Sequence, residues 1–144
     1  MRAASITLLD LVTSSPAETE AAGERFGQDL ALGDLVLLKG DLGAGKTTFV
    51  RGLTRGMGST AHVASPTFQL VRVYAGRVQI AHVDLFRLEE TADLAELGLD
   101  ELLDQGAVVV EWGDRLNEPE AALLSIEHLG GDCRRLVLMR DLKR

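Results

Sequence analysis

The chain has 144 residues, of which 46% are hydrophobic and 26% charged, a length and mixture that suit one domain over residues 1–144 with a single core. No segment reaches the roughly 20 apolar residues of a bilayer-spanning helix, so no membrane role is expected. A net charge of −7 argues against a chain that grips nucleic acid alone, because neutralising phosphates takes clustered Lys and Arg, but it permits a local anion site made of backbone N–H groups and an acidic face docked on a basic partner.

The elements follow in chain order. Asp10 breaks the first apolar run and no small-residue cleavage site follows, so residues 5–11 predict a first strand rather than a signal peptide. Ser15, Pro16 and Glu18 have the spacing of a capped helix start, with Ser15 at the N-cap and Glu18 closing a capping box. Ala22, Phe26 and Leu30 recur every four residues and predict one buried stripe. Gly33-Asp34 turns the chain, and Leu35 to Leu38 reads as a strand buried on both faces. A loop over residues 40–45 precedes a helix from Lys46 to about Arg55, stopped by Gly56 and Gly58. Residues 68–74 and 77–83 form a predicted hairpin joined at Ala75-Gly76. Residues 91–104 carry helical spacing with a break at Gly98. Ala107 to Val110 is a second fully apolar strand. Residues 123–129 and 134–139 flank Gly130-Gly131-Asp132 as a closing hairpin. The expected fold is α/β, a P-loop NTPase-like layered fold with a mixed parallel and antiparallel central sheet. The single cysteine, Cys133, excludes an internal disulfide and fits a cytoplasmic protein.

Gly40-Asp41-Leu42-Gly43-Ala44-Gly45-Lys46-Thr47 matches G-x-x-x-x-G-K-[ST] in full, with an apolar strand before it and a helix after it. Such a loop brings backbone close to phosphate. Glycines at 40, 43 and 45 remove blocking side chains and allow positive φ. The N–H groups then converge on phosphate oxygens at a helix N-terminus. The expected nucleotide contacts run over Asp41, Leu42, Gly43, Ala44, Gly45, Lys46, Thr47 and Thr48. Asp41 and Leu42 occupy variable positions and take no side-chain role from the motif. Lys46 would reach the β- and γ-phosphates, and the Thr47 hydroxyl would coordinate Mg²⁺, which prefers oxygen ligands.

Hydrolysis or transfer also needs a carboxylate near the metal and a group that orients the attacking species. Two acids end strand-like runs: Glu111 after Val108 to Val110, in a Walker-B-like arrangement, and Asp84 after Ile80 to Val83. Either is placed to hold Mg²⁺, with the other positioning water; a solvated acid at a strand end is the plainer alternative. Thr67, in Ser65-Pro66-Thr67-Phe68, suits a switch segment that contacts the γ-phosphate, although Ser65-Pro66 also suits a simple strand start. His82 shares a strand face with Asp84 by period two, and a lone His is more often structural. Trp112, the only Trp, lines the cleft, meets a partner or merely packs. Arg87 is a candidate charge-neutralising finger or docking contact, roles exposed arginines seldom have.

Taken in order, Gly40 to Thr48, Ser65-Pro66-Thr67-Phe68, His82-Val83-Asp84-Leu85-Phe86-Arg87-Leu88, Glu96-Leu97-Gly98-Leu99 and Val110-Glu111-Trp112-Gly113 resemble the TsaE family, the P-loop ATPase of bacterial tRNA threonylcarbamoyladenosine biosynthesis. The resemblance covers roughly residues 15–115. It implies an ATP- and Mg²⁺-dependent subunit that docks on TsaB-like and TsaD-like proteins. That pair transfers threonylcarbamoyl to adenosine 37 of ANN-decoding tRNAs, and ATP hydrolysis supports its repeated turnover. Contact with tRNA is then indirect. The resemblance carries Lys46 and Thr47 over as phosphate and Mg²⁺ ligands and Glu111 as the Walker-B-like acid. Asp84 becomes the second acid, Thr67 a switch residue, and Trp112 an aromatic near the nucleotide. Phe86 and Phe68 stand where Tyr is common, and Gly113 stands where Pro is frequent. Residues 115–144 carry no usable motif.

Two other readings use the same loop. A small-molecule kinase needs a substrate pocket and a basic lid, and the sequence has no Arg-rich lid segment. A guanine-nucleotide switch would carry N-K-x-D and D-x-x-G, and neither is present. The chain also lacks L-S-G-G-Q of transporter ATPases. The expected enzyme is a Mg²⁺-dependent ATPase, weak alone and activated by its partners; a nucleotide-controlled binding switch is the nearest alternative.

Overall fold

The computed structural model describes residues 10–41, 44–63, 71–85, 98–113, 116 and 118–142. In chain order the elements are β1 (Asp10–Thr13), α1 (Pro16–Gln28), β2 (Leu35–Lys39), α2 (Lys46–Gly56), β3 (Val71–Tyr74), β4 (Gln79–Asp84), α3 (Leu99–Gln105), β5 (Gly106–Glu111), β6 (Ala122–Gly130) and β7 (Cys133–Arg140). The seven strands form one sheet in the order β1-β7-β6-β2-β5-β4-β3. β5 pairs in parallel with both β2 and β4, and β2 also pairs in parallel with β6. The outer pairs β1–β7, β6–β7 and β3–β4 are antiparallel. The mixed α/β sheet expected from the sequence is therefore present.

Local chemistry explains where the helices begin and end. Ser15 is extended and its side chain accepts the Glu18 N–H at 3.1 Å. The Glu18 carboxylate reaches back, but to the Ser14 N–H at 2.7 Å, one residue earlier than a capping box requires. The first strand is described from Asp10 to Thr13, two residues beyond the expected end; residues 5–9 lie outside the described residues. α3 begins at Leu99 after Gly98, whose φ is +70°, and residues 91–97 of the expected helix also lie outside, as does residue 68 to 70 of the expected hairpin.

α1 and α2 approach closely because glycines face one another. A Cβ on Gly52 would lie 1.9 Å from the Glu20 carbonyl oxygen, and one on Gly23 would lie 2.2 Å from that of Phe49. The expected stripe of Ala22, Phe26 and Leu30 is thus supplemented by Gly23 and Gly27, and Leu30 falls beyond the helix end. Gly56 does not stop α2 but forms its last residue, where it packs against the Glu24 carbonyl. Arg77, in the β3–β4 turn, gathers both helix C-termini. Its guanidinium donates to the carbonyls of Gly27, Leu30 and Gly56 at 3.1, 2.9 and 2.8 Å, at helix ends where carbonyls run short of intrahelical donors.

The sheet separates two apolar clusters. Val36, Leu38, Ile80, Val109, Leu124 and Leu136 face α1 and α2 with Phe49 and Leu53. Leu35, Leu37, Ala81, Val83, Val108 and Val110 form the other cluster, with Leu99 and Leu102 of α3 beside them. Strand period two therefore turns His82, Asp84 and Glu111 to the α2 face.

Candidate functional site

The topology builds the site. β2 and β5 are parallel neighbours with Leu38 opposite Glu111, and β4 lies beyond β5 with Asp84 opposite Glu111. The loop after β2 and both candidate acids therefore share the C-terminal edge of the parallel strands, where open α/β sheets bind ligands.

The glycines of the loop serve different needs. Gly45 is the N-cap of α2 with φ +103°, as expected for positive φ. Gly40 is not among the residues with positive φ, which corrects the expectation for that position. It is required by packing, since a Cβ there would lie 2.5 Å from the Ile126 carbonyl oxygen of β6. Leu42 and Gly43 lie outside the described residues. Ala44 is buried against the α2-side core.

Lys46 is buried. Its ammonium donates to the carbonyls of Gly40 and Asp41, the latter at 2.9 Å, and sits 4.0 Å from the centroid of the Trp112 ring. Carbonyl acceptors and an aromatic face together stabilise an ammonium removed from water. Trp112 is the one non-glycine residue with positive φ among those described, at +61°. A backbone of this kind costs of order 1–3 kcal/mol and persists where the surroundings impose it. Next to it, Gly113 has no room for a side chain, because a Cβ would lie 2.7 Å from that of Leu37.

Glu111 differs from a solvated acid at a strand end. It is 4% exposed, because β5 is central in the sheet and α2 lies across that face. Its Oε2 accepts from the Thr47 hydroxyl at 3.3 Å and lies 2.5 Å from His82 Nε2. Such partners are what make a buried carboxylate tolerable. Asp84 is only partly buried, next to Glu111 across the ladder. Thr67 and Arg87 lie outside the described residues.

Two oxygen donors from separate elements, Thr47 and Glu111, meet in front of the loop. That is the donor chemistry of a hard cation such as Mg²⁺, which retains water and phosphate oxygens as its other ligands. Among the described residues no group of three or more His, Cys, Asp and Glu assembles as a metal cage. Thr48 and Gly45 line a cleft together with Pro16, Thr19, Asp132 and Arg134. The Arg134 Nε lies 3.4 Å from where a Cβ of Gly45 would be. Asp132 and Arg134 carry no motif; the turn Gly130-Gly131 before them was the only local signal, and it spoke of a hairpin.

The family model described as "Threonylcarbamoyl adenosine biosynthesis protein TsaE" matches residues 13–136. The tRNA threonylcarbamoyladenosine biosynthesis protein TsaE of Treponema pallidum is 41% identical over 106 residues, covering 73% of this chain and 78% of that protein. The protein of the same name from Bacillus subtilis is 39% identical over 124 residues, covering 83% of this chain and 77% of its own length. The crystal structure of Bacillus subtilis YdiB superposes with a TM-score of 0.76 at 33% identity, over 92% of this chain and 84% of that one. With the family match spanning most of the chain and the fold shared, this protein belongs to the TsaE family of threonylcarbamoyl adenosine biosynthesis proteins.

Proposed function

We propose that this chain binds ATP with Mg²⁺ through residues 40–48 and hydrolyses it. That hydrolysis, to ADP and phosphate, supports repeated turnover of a TsaB-like and TsaD-like complex that modifies tRNA adenosine. The observation that carries the reading is the meeting of Thr47 with Glu111, 3.3 Å apart, beside a P-loop lysine at the sheet's C-terminal edge.

In this reading the α2 N-terminus and the backbone of residues 40–45 bind the phosphates, and Lys46 leaves the Gly40 and Asp41 carbonyls to donate to them. Thr47 and Glu111 hold the cation, which when bound neutralises charge between the β- and γ-phosphates. Asp84 orients the attacking water from its place opposite Glu111 across the ladder. Thr48 and Arg134 face the nucleotide from the cleft, and Trp112 keeps Lys46 and water in order. Thr67 contacts the γ-phosphate as a switch residue. The net charge of −7 fits docking on a protein pair rather than on tRNA directly.

The test is phosphate release from ATP and Mg²⁺, with the chain alone and with the TsaB-like and TsaD-like proteins of its host. Slow release alone and strong stimulation by the pair, lost in Lys46→Ala, is the expected result. A charge-stabilising group supplied in trans is worth about 10³ to 10⁵ in rate. Rapid turnover by the chain alone with no gain from the pair would overturn partner activation. Binding without stimulated hydrolysis would replace the ATPase with a nucleotide switch or a kinase that lacks its acceptor.

A further inference from the structure

His82 has no exposed surface, and its Nε2 lies 2.5 Å from Glu111 Oε2. The same Oε2 accepts from Thr47 at 3.3 Å. The other ring nitrogen, Nδ1, has no hydrogen-bond partner among the described residues. A histidine kept only to fill a core normally has both nitrogens satisfied. Among the described residues the ring's hydrogen-bond partner is the carboxylate beside the P-loop threonine.

We propose that His82 is the positioning residue of Glu111, holding its carboxylate in the orientation that receives the cation beside Thr47. The proposal rests on the reading of Glu111 as a Mg²⁺ carboxylate. A carboxylate that holds a cation only accepts, so in that state Nε2 is the donor of the pair. Parallel pairing makes the contact possible: His82 is opposite Val109 and Asp84 opposite Glu111, so His82 and Glu111 are diagonal neighbours on the α2 face. Two contacts on Oε2 restrict the rotation of the carboxylate. Partners of this kind, one bond removed from a metal, commonly change metal affinity by about 10- to 100-fold when lost.

The experiment is calorimetric titration of the purified full chain with ADP, in Mg²⁺ and in EDTA. The wild type should bind more tightly in Mg²⁺. His82→Leu, which keeps bulk but has no donor, should lose about 10- to 100-fold of that gain while keeping the affinity in EDTA. His82→Gln, whose amide N–H reaches about as far as Nε2, should retain the gain. A wild-type gain in His82→Leu, or a loss in His82→Gln equal to that in His82→Leu, would overturn the positioning role. If His82→Leu does not fold, His82→Asn replaces it, with an amide too short to reach Glu111. Unfolding of both beside a folded His82→Gln would assign the pair to the fold and overturn the proposal. Wild-type binding that ignores Mg²⁺ would also overturn it while leaving the nucleotide site intact. A wild type that binds no ADP in either buffer would overturn the nucleotide reading itself.

Discussion

Lys46 and Trp112, 66 residues apart in sequence numbering, form a cation–π pair with the ammonium 4.0 Å from the ring centroid. The pair exists because β2 and β5 are neighbours, and because the left-handed backbone at Trp112 folds its ring over the start of α2. Trp112 is the only tryptophan, so its fluorescence reports on this lysine. Addition of ADP and Mg²⁺ should shift Trp112 emission as Lys46 moves to phosphate. Lys46→Ala should bind nucleotide at least about tenfold more weakly, since hydrogen bonds to charged groups contribute about 1.5–3 kcal/mol. Titration followed by fluorescence and checked by calorimetry measures both. Unchanged affinity in Lys46→Ala would remove the lysine from the phosphate site.

Glu111 has two separable roles. Glu111→Gln keeps an acceptor for His82 and nearly the same shape, so it should fold with little loss while hydrolysis and the Mg²⁺ dependence of binding fall. Glu111→Ala should cost a further 1–3 kcal/mol or about that in stability, because it leaves the buried His82 Nε2 without its partner. Urea unfolding of the two variants, compared with phosphate release, resolves the roles. Equal stability in both would mean that the His82 contact contributes nothing to the fold.

The α1–α2 crossing makes a stability prediction in which two effects oppose. In an isolated helix Gly52→Ala would help by about 1 kcal/mol. Here the new methyl would lie 1.9 Å from the Glu20 carbonyl oxygen, and backbone cannot yield as a side chain does. Net destabilisation of about 3 kcal/mol is expected, seen as a lower denaturant midpoint. A stabilised Gly52→Ala would show that the helices separate at little cost.

At the sheet edge, Arg135 donates to both Asp10 carboxylate oxygens at 3.0 and 2.8 Å. These hydrogen bonds, aided by the guanidinium charge, hold the Asp10 carboxyl below its ordinary value. A lowered carboxyl pKa contributes stability above the unfolded value, near 3.9, and loses it as pH falls through the folded value. Asp10→Asn should therefore lower Tm slightly at neutral pH, with the difference shrinking below about pH 3.9 and in high salt. Both residues are largely exposed, so a large or salt-independent effect would contradict this account.

The P-loop, the α1 cap and the central apolar strands were legible because each depends on neighbours in sequence. Ser15 and Glu18 are three residues apart, and Gly45-Lys46-Thr47 carries its own backbone chemistry. Asp84 and Glu111 were identified as strand-end acids, but their relation was not. Sequence order separates β2, β4 and β5; only the strand order β2-β5-β4 puts Glu111 beside Thr47 and opposite Asp84. Burial of Glu111, and with it the proposed role of His82, follows from α2 lying across that face of the sheet, so the solvated strand-end acid that the sequence left as an alternative does not describe it. Arg134 was missed because no motif marks it and it approaches Gly45 only through β7. The local chemistry of this chain is thus set by short-range steric and hydrogen-bonding rules that a sequence displays directly, whereas its site is set by which strands pair, a choice made by the burial of apolar faces across the whole sheet.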